Sequence, residues 1–356
     1  MPNIIEKRHY RTIIIGGGQA GLATAYHLSR LHEEYILLDS NARIGNSWRT
    51  RWDSLRLFTP SQHDGLPGLP FPAVRNTFPT KDEIADYLEK YVKEFSLPVM
   101  QGIQVSRLAK SPEGFEISTT TGNLKSDRVV VATGTNQQPR IPAFARELDQ
   151  KIHQIHSSQY KNPKALPDGN TLVVGAGTSG VEIVVELSAS RHTYIAGRLT
   201  PHIPDAIFRY AGEPYWWFAS NILTVGTPIG RKVKPKLLTG GAPLIRISGK
   251  DLDKAEVERV SRVTGVKDGL PLLQDGRVLP VSSIVWATGY KPDFSWIEMN
   301  VTDESGWPVS KRGVCESTEG LYFVGMLFQF GLTSGLVGGV GRDAKFVAEH
   351  IHKTRK

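Results

Sequence analysis

Two glycine-rich segments of one pattern, one in each half of the chain, constrain this sequence more than any other feature. The first reads IIIGGGQAG and ends at Gly21, and the second reads LVVGAGTSG and ends at Gly180. Each follows a short apolar run and opens a stretch with apolar residues at helical spacing, which is the order strand, tight turn, helix. In such units the first glycine permits the turn, the second admits a pyrophosphate, and the third lets the helix pack on the strand. The sequence therefore predicts two dinucleotide-binding units.

The two units differ at the end of the strand that follows the helix. Eighteen residues past the last glycine, the first unit has Asp39 and the second has Arg198. An acidic residue at this position accepts hydrogen bonds from a ribose hydroxyl, whereas an arginine can fork onto a 2′-phosphate. This contrast predicts NADPH in the second unit, with Thr200 and Arg191 as further candidates. A surface arginine without a ligand is the alternative.

The repetition extends beyond the glycines. VSR occurs at Val105–Arg107 and again at Val260–Arg262, each time before a turn-rich stretch that is typical of a β-meander. Each meander runs into a β-branched strand that ends in ATG. We therefore predict an α/β fold with two Rossmann-like domains, each with a parallel sheet and a β-meander.

The tail beyond the second ATG is too short to form a domain, so we expect it to complete the first one. The first domain would then comprise residues 1–165 and 291–356, and the second would be inserted as residues 166–290. Residues 199–250 have no counterpart in the first copy and are expected to cover a substrate site.

The composition limits the classes of function that are open to this chain. The chain has 356 residues, a net charge of +8 and one cysteine, Cys315, so a CxxC redox pair is excluded. We expect a cytoplasmic enzyme that binds no nucleic acid, with neither a signal peptide nor a membrane span. The basic segment Arg231–Lys236 follows the aromatic run Tyr215–Phe218. This region predicts a hydrophobic lid, with a membrane contact or a docking patch as alternatives.

Further segments resemble flavoproteins of the flavin-containing monooxygenase type over nearly the whole chain. They are GGGQAG with Asp39, then GNSWR, WDSLRLFTP, ATGTNQQPRIP, HSSQY, GAGTSG, ATGY and GLYFVG. The chain is most similar to short bacterial members, some of them associated with cation efflux. The resemblance implies the glutathione-reductase/flavin monooxygenase type of fold, with FAD in the first domain and NADPH, or alternatively NADH, in the second.

The resemblance also assigns cofactor-binding residues. For FAD they are Gly16, Gly18, Gln19, Ala20, Gly21, Asp39, Ser40, Trp48, Arg49, Val105, Thr133, Gly134 and Gly325. For NADPH and the crossover between domains they are Gly175, Gly177, Thr178, Ser179, Gly180, Arg198, Thr288 and Gly289. Trp48 and Arg49 would lie along the FAD pyrophosphate and ribityl chain. A helix start at 333–339 would lie near the flavin pyrimidine edge.

No metal-ligand or triad pattern is present in the sequence, as expected if the cofactor carries the chemistry. Candidates for the reacting edge of the flavin are Thr59, Gln62 and Asn136, together with His63. The family signature FxGxxxH is broken, because Gln150 and Ile152 replace its Phe and Gly. Its remaining histidine, His156, is open to either a structural or a functional role.

We therefore expect an NADPH-reduced, FAD-dependent oxidoreductase, foremost a monooxygenase. The resemblance implies oxygen transfer from a flavin C4a-hydroperoxide to a small sulfide or amine. The expected partners are this substrate and O₂, and a homodimer is left open. An NADPH:acceptor reductase or oxidase without a stable oxygen adduct is one alternative. A redox-sensing accessory protein of a transporter is the other.

Overall fold

The computed structural model describes residues 8–354, without the side chains of residues 239 and 240. Residues 1–7 and 355–356, which the predicted first domain includes, lie outside the described residues. In chain order the strands are β1 (His9–Ile15), β2 (Tyr35–Asp39), β3 (Val99–Gln101), β4 (Val105–Ser111), β5 (Gly114–Thr119), β6 (Gly122–Val131), β7 (Gln138–Pro139), β8 (His153–His156), β9 (Thr171–Val174), β10 (Thr193–Ala196), β11 (Glu258–Val260), β12 (Val263–Lys267), β13 (Leu270–Leu273), β14 (Ser283–Trp286), β15 (Tyr290–Lys291) and β16 (Leu321–Phe323).

The α-helices lie mainly between these strands. They are α1 (Gln19–Arg30), α2 (Asn46–Arg49), α3 (Lys81–Glu94), α4 (Thr178–Ser188), α5 (Asp205–Asn221), α6 (Pro228–Gly240), α7 (Gly249–Lys254) and α8 (Gly341–Lys353). Short 3-10 helices lie at Ser61–His63, Ala143–Glu147, Pro163–Ala165 and Leu332–Gly335.

The first sheet has the order β3-β2-β1-β6-β5-β4, and β16 also pairs with β6. Ile14 of β1 packs into the hydrophobic cluster that contains α1, α3 and α8 residues, whereas Ile13 and Ile15 pack into the cluster on the other face. Both faces are thus covered at the end of β1, which explains why its last three residues, Ile13–Ile15, are all apolar. Strands β4, β5 and β6 form the predicted antiparallel meander.

The second sheet repeats this order as β11-β10-β9-β14-β8, with all its strands parallel. Its meander is shorter than predicted, because only β12 and β13 form a hairpin and the third strand is reduced to the bridge Leu272–Val278. Strand β8 pairs with β14. The predicted boundary at residue 165 therefore separates β8 from its own sheet, and by strand pairing the second unit begins before His153.

The extra segment of the second unit, residues 199–250, is largely helical. Helix α5 carries Pro214 and is kinked at Ala211, whose φ is −139°. The C-terminal helix α8 begins at Gly341. The helix start predicted at 333–339 is therefore wrong, since this stretch forms the 3-10 helix Leu332–Gly335 followed by extended backbone at Leu336.

Contacts close to the ATG strand ends join the two units. Strands β7 and β15 pair with each other, and the Arg51 guanidinium donates to the Tyr290 hydroxyl at 2.6 Å. The amide of Asp53 also donates to the Lys161 carbonyl at 2.8 Å. The units therefore meet on the side where their parallel strands end.

Candidate functional site

The first glycine turn lies between β1 and α1, and its three glycines have different surroundings. Gly16 has a φ of +112°, and a Cβ there would lie 2.5 Å from the Ala132 carbonyl oxygen. A Cβ at Gly21 would lie 1.9 Å from the Gly16 carbonyl oxygen. A Cβ at Gly18 would meet no protein atom within 4 Å. Packing therefore requires the first and third glycines, whereas the second opens onto free space.

The second glycine turn, between β9 and α4, reproduces this arrangement. Gly175 has a φ of +108° and its Cβ would lie 2.3 Å from the Ala287 carbonyl oxygen. A Cβ at Gly180 would lie 1.8 Å from the Gly175 carbonyl oxygen, and one at Gly177 would again meet nothing within 4 Å. Because the fold does not need the middle glycine, a ligand that approaches the backbone explains it in both turns.

Neither helix that follows these turns is capped by a side chain or has an acidic residue in its first turn. The first residues are Gln19 and Ala20 in α1, and Thr178 and Ser179 in α4. The positive ends of both helix dipoles thus face the open glycines, which suits an anion such as a pyrophosphate.

The ATG glycines extend this open space. Gly134 and Gly289 have φ values of +75° and +79°, and neither would bring a Cβ within 4 Å of another residue. Thr133 is exposed, whereas the Thr288 hydroxyl donates to the Arg140 carbonyl. Gly325 is required by packing, because its Cβ would lie 2.7 Å from that of Ala20 at the start of α1.

Asp39 is buried and its carboxylate supports the first turn directly. One oxygen accepts the Gly17 amide at 2.6 Å, and the other accepts the backbone and side-chain amides of Asn41 at 2.7 and 2.9 Å. The sequence did not predict this role. Ser40, the next residue, is exposed.

Arg198 lies past the end of β10 and is exposed. Within the described part of the chain its guanidinium has no hydrogen bond or ion pair. Arg191, the other candidate cation, donates to the carbonyls of Pro167 and Pro163 at 2.7 and 2.8 Å and is therefore committed to the fold. The Thr200 hydroxyl is buried without a protein partner.

The predicted contact of Arg49 with a cofactor does not fit its geometry. Its guanidinium donates to the Ile44 carbonyl at 2.8 Å and to Asp86 at 2.5 Å, and it lies 3.3 Å from Glu89. The acidic residues of α3 thus hold Arg49 in place, and these contacts fix the turn that contains α2. Trp48 is partly buried against the hydrophobic cluster of the first unit, and Val105 begins β4 at the edge of that sheet.

A cavity of about 540 Å³ lies between the loop 59–70, helix α5 and the segment 333–339. Tyr87 of α3 holds this loop, since its hydroxyl accepts the Leu66 amide and donates to the Leu69 carbonyl, both at 2.6 Å. Tyr91 donates to the Pro67 carbonyl at 2.6 Å. Trp216 of α5, which is 6% exposed, closes the opposite side.

Thr59 and Gln62 both line this cavity. The Thr59 hydroxyl donates to Asp64, which is fully buried and whose other carboxylate oxygen has no protein partner. Burial raises the pKa of Asp64 to about 7. The Gln62 amide is held by both the backbone and the side chain of Asn76, at 2.8 Å each. Sequence reasoning missed Asp64, which reads as a loop residue.

His63 also lines the cavity, with its ring tilted against that of Trp216 at 5.3 Å. Its Nε2 is buried without a hydrogen-bond partner and lies 3.7 Å from Glu213, and burial lowers its pKa. Asn136, by contrast, is exposed and does not line this cavity.

His156 is fully buried and has a structural role. Its Nδ1 accepts the Ser158 amide at 3.1 Å, so the proton is on Nε2, which donates to the Gly289 carbonyl at 3.0 Å. Burial lowers the pKa of His156, which keeps the ring neutral. The ring therefore ties β8 to the ATG turn of β14.

The described residues contain no cluster of three or more His, Cys, Asp or Glu side chains that could hold a metal ion. Within residues 8–354, no helix is long and apolar enough to cross a membrane. Cys315 is buried, and its thiol contacts the Ser317 hydroxyl at 3.4 Å.

The sequence and the fold of this chain are similar to those of known oxidoreductases. The family model for pyridine nucleotide-disulphide oxidoreductases matches residues 13–196. The chain is 38% identical over 345 residues to an uncharacterized CzcO-like oxidoreductase of Geobacillus kaustophilus, covering 95% of this chain and 97% of that one. It is 27% identical to a probable indole-3-pyruvate monooxygenase, YUCCA7, of Arabidopsis thaliana, over 97% and 88% of the two chains. The fold is similar to that of a flavin-containing monooxygenase from Stenotrophomonas maltophilia, with a TM-score of 0.78, 23% identity and coverage of 97% and 98%.

Proposed function

Because the chain belongs to the pyridine nucleotide-disulphide oxidoreductase family, we propose that it is an FAD-dependent oxidoreductase that NADPH reduces and that oxygenates a small sulfide or amine. Family membership confirms that it is an oxidoreductase, and the fold likeness confirms the α/β fold of the flavin monooxygenase type. The proposal adds the cofactor assignment, the electron donor and the substrate class.

One observation carries the proposal. The two glycine turns both leave open space at the middle glycine, but the strand that follows each turn and helix leads to a different residue. Both middle glycines leave room for a pyrophosphate, yet Asp39 is a buried acid and Arg198 an exposed, unpaired cation within the described chain. A chain with two such sites suits two dinucleotides, of which only the second carries a 2′-phosphate. The residues therefore fit FAD on the Gly16–Gly21 turn and NADPH on the Gly175–Gly180 turn.

When bound, FAD would supply the redox chemistry between NADPH and O₂, which the side chains cannot supply. The chain itself would bind the pyrophosphates at the starts of α1 and α4. Arg198 would hold the 2′-phosphate by charge-assisted hydrogen bonds. The Thr59 hydroxyl would face substrate, while Trp216 and the loop 59–70 would exclude water from the cavity.

Thr59 and Asp64 would also hold a proton beside the cavity. The Thr59 hydroxyl is the hydrogen-bond partner of a buried carboxyl whose pKa is raised to about 7, so that this group gains or loses its proton near neutral pH. We expect Thr59→Val to lower turnover and Thr59→Ser to restore it, because only the serine keeps the hydroxyl. A rate unchanged in Thr59→Val would remove this role.

The test of the proposed activity is a turnover balance on the FAD-loaded protein. With NADPH and an aryl methyl sulfide, we expect one sulfoxide for each NADPH consumed, with its oxygen derived from labelled O₂. Consumption of NADPH with an equal yield of hydrogen peroxide and no sulfoxide would refute oxygenation and establish an oxidase.

An oxidase or acceptor reductase remains the second candidate, because His156, the remaining histidine of the monooxygenase signature, has a structural role. Both of its ring nitrogens are engaged within the fold, so it has no atom to offer to a cofactor or substrate. A thiol–disulfide reductase is disfavoured, since the single cysteine of the chain, Cys315, is buried and does not line the cavity.

A further inference from the structure

Helices α5 and α6 both expose large apolar side chains. Tyr210, Trp217 and Phe218 of α5 are 80%, 61% and 40% exposed, and Ile229 and Leu238 of α6 are 52% and 48% exposed. These five account for more than half of the exposed large apolar side chains in the described chain. Such a concentration marks a binding surface and not scattered exposure.

Helix α5 has two apolar faces with different surroundings. Its inner face carries Trp216 and Ala219, which are buried in a cluster with Ile245. Trp217 and Phe218 point away from that cluster into solvent. Since the inner face already closes the cavity, the lid role predicted for this region explains Trp216 but not its exposed neighbours.

The same two helices also carry exposed basic residues. Arg231, Lys232 and Lys236 of α6 are exposed and Lys234 is partly exposed, and α6 contains no acidic residue. Arg209 of α5 adds a further exposed cation. None of these five has an ion pair within the part of the chain that the structure describes.

The two acidic residues of α5, Asp205 and Glu213, offset only part of this charge. Glu213 pairs with Arg75 at 2.5 Å, and Asp205 lies 3.5 Å from His202. The exposed side chains of the two helices, five apolar and five basic as named above, are called the α5–α6 face from here on. They combine apolar anchors with an excess of positive charge.

We propose that the α5–α6 face docks on the surface of an anionic lipid bilayer. Lysine and arginine side chains interact with acidic headgroups, while tryptophan, tyrosine and aliphatic side chains enter the headgroup boundary. A second copy of the chain is a poorer occupant, because a two-fold interface would bring the same cations together. The docked helix would place the cavity lid at the membrane, where apolar substrates concentrate. This surface does not depend on the proposed oxygenation.

The test is co-sedimentation of the FAD-loaded protein with phosphatidylcholine vesicles, with and without phosphatidylglycerol. We expect binding to the anionic vesicles, weakened by added salt, and at least tenfold weaker binding to the neutral ones. Since each basic residue near the surface contributes about fivefold, Lys232→Gln/Lys236→Gln is expected to weaken binding about 25-fold. Trp217→Ser/Phe218→Ser is expected to weaken binding and to leave FAD content unchanged.

Matched control variants test whether vesicle binding depends on this face or only on the overall charge and apolarity of the protein surface. Lys93→Gln/Lys267→Gln and Val74→Ser/Val309→Ser change exposed residues elsewhere and are expected to bind like the wild type. Equal loss in controls and test variants, or equal binding to both kinds of vesicle, would overturn the proposal. So would a doubled mass of the wild-type protein by light scattering that the Trp217→Ser/Phe218→Ser variant loses, because a second copy would then cover the face.

Discussion

Substitution of Gly18 by alanine is expected to separate cofactor binding from folding. Gly18 has φ −77° and ψ −176°, which alanine adopts without strain, and its added Cβ would meet no protein atom within 4 Å. The apoprotein is therefore expected to keep its stability or to gain about 0.5 kcal/mol, because alanine restricts the unfolded chain. Gly21→Ala is the matched control, since its Cβ would lie 1.9 Å from the Gly16 carbonyl oxygen.

Gly18→Ala is expected to weaken the binding of FAD. The new methyl group occupies the space through which a pyrophosphate approaches the start of α1, so at least one charge-assisted hydrogen bond is lost. Such a bond contributes about 1.5–3 kcal/mol, which corresponds to an FAD affinity about tenfold to a hundredfold weaker. Gly21→Ala is instead expected to lower the free energy of unfolding of the apoprotein by about 1–3 kcal/mol.

Two measurements check this pair of variants. Titration of the apoprotein with FAD, followed by flavin fluorescence, gives the affinity, and urea unfolding of the apoprotein gives the stability. Wild-type FAD affinity in Gly18→Ala would refute the reasoning, as would an apoprotein destabilised as much as Gly21→Ala. Gly177→Ala extends the test, because it should weaken NADPH while leaving FAD bound.

Three further substitutions test single side chains. Arg198→Ala should raise the KM for NADPH about tenfold or more and leave that for NADH unchanged; equal effects in steady-state kinetics would remove the 2′-phosphate assignment. Asp64 keeps its proton up to about pH 7 when folded but only to about pH 4 when unfolded, so it makes the free energy of unfolding fall as pH rises through that window. Asp64→Asn should flatten this fall in urea unfolding at several pH values, and an unchanged slope would contradict the burial argument. Arg246 lies 3.1 Å from the buried Glu182, so Arg246→Gln leaves this carboxyl without its partner. We expect this substitution to lower the free energy of unfolding by about 2 kcal/mol. Glu182→Gln/Arg246→Gln should recover most of that loss, and a double variant no better than the single one would argue against the pair.

The sequence predicted the parts of the fold that local patterns determine. Residues 11–40 form β1, α1 and β2, and residues 171–198 contain β9, α4 and β10, in the predicted order. The glycine turns were recognisable because their backbone demands are severe: Gly16 and Gly175 require positive φ, and Gly21 and Gly180 have no room for a Cβ. Few other residues could occupy these positions, so the pattern is specific.

Side-chain partners could not be predicted in the same way. The family resemblance assigned Arg49 to a cofactor, but α3 brings Asp86 and Glu89 to it from more than thirty residues away. Asp64 lies in a polar stretch that looks like an exposed turn, yet it is fully buried in a loop that packs closely against Gly338. Long-range packing decides both cases, and periodicity carries no information about it.

The strand that was assigned to the wrong unit, β8, shows how the two units depend on each other. The parallel strands of each sheet end in one that lies outside the strand–turn–helix–strand unit: β16 pairs with β6 after the chain has passed through the second sheet, and β8 pairs with β14 before the second turn begins. Trp286 of β14 is fully buried, and its indole N–H donates to Gln154 of β8 at 3.1 Å. His156, at the end of β8, then fixes the Gly289 carbonyl. The strand that completes the second sheet thus also positions an open ATG glycine, so the pairing of β8 with β14 couples the fold of the second unit to the geometry of its glycine turn.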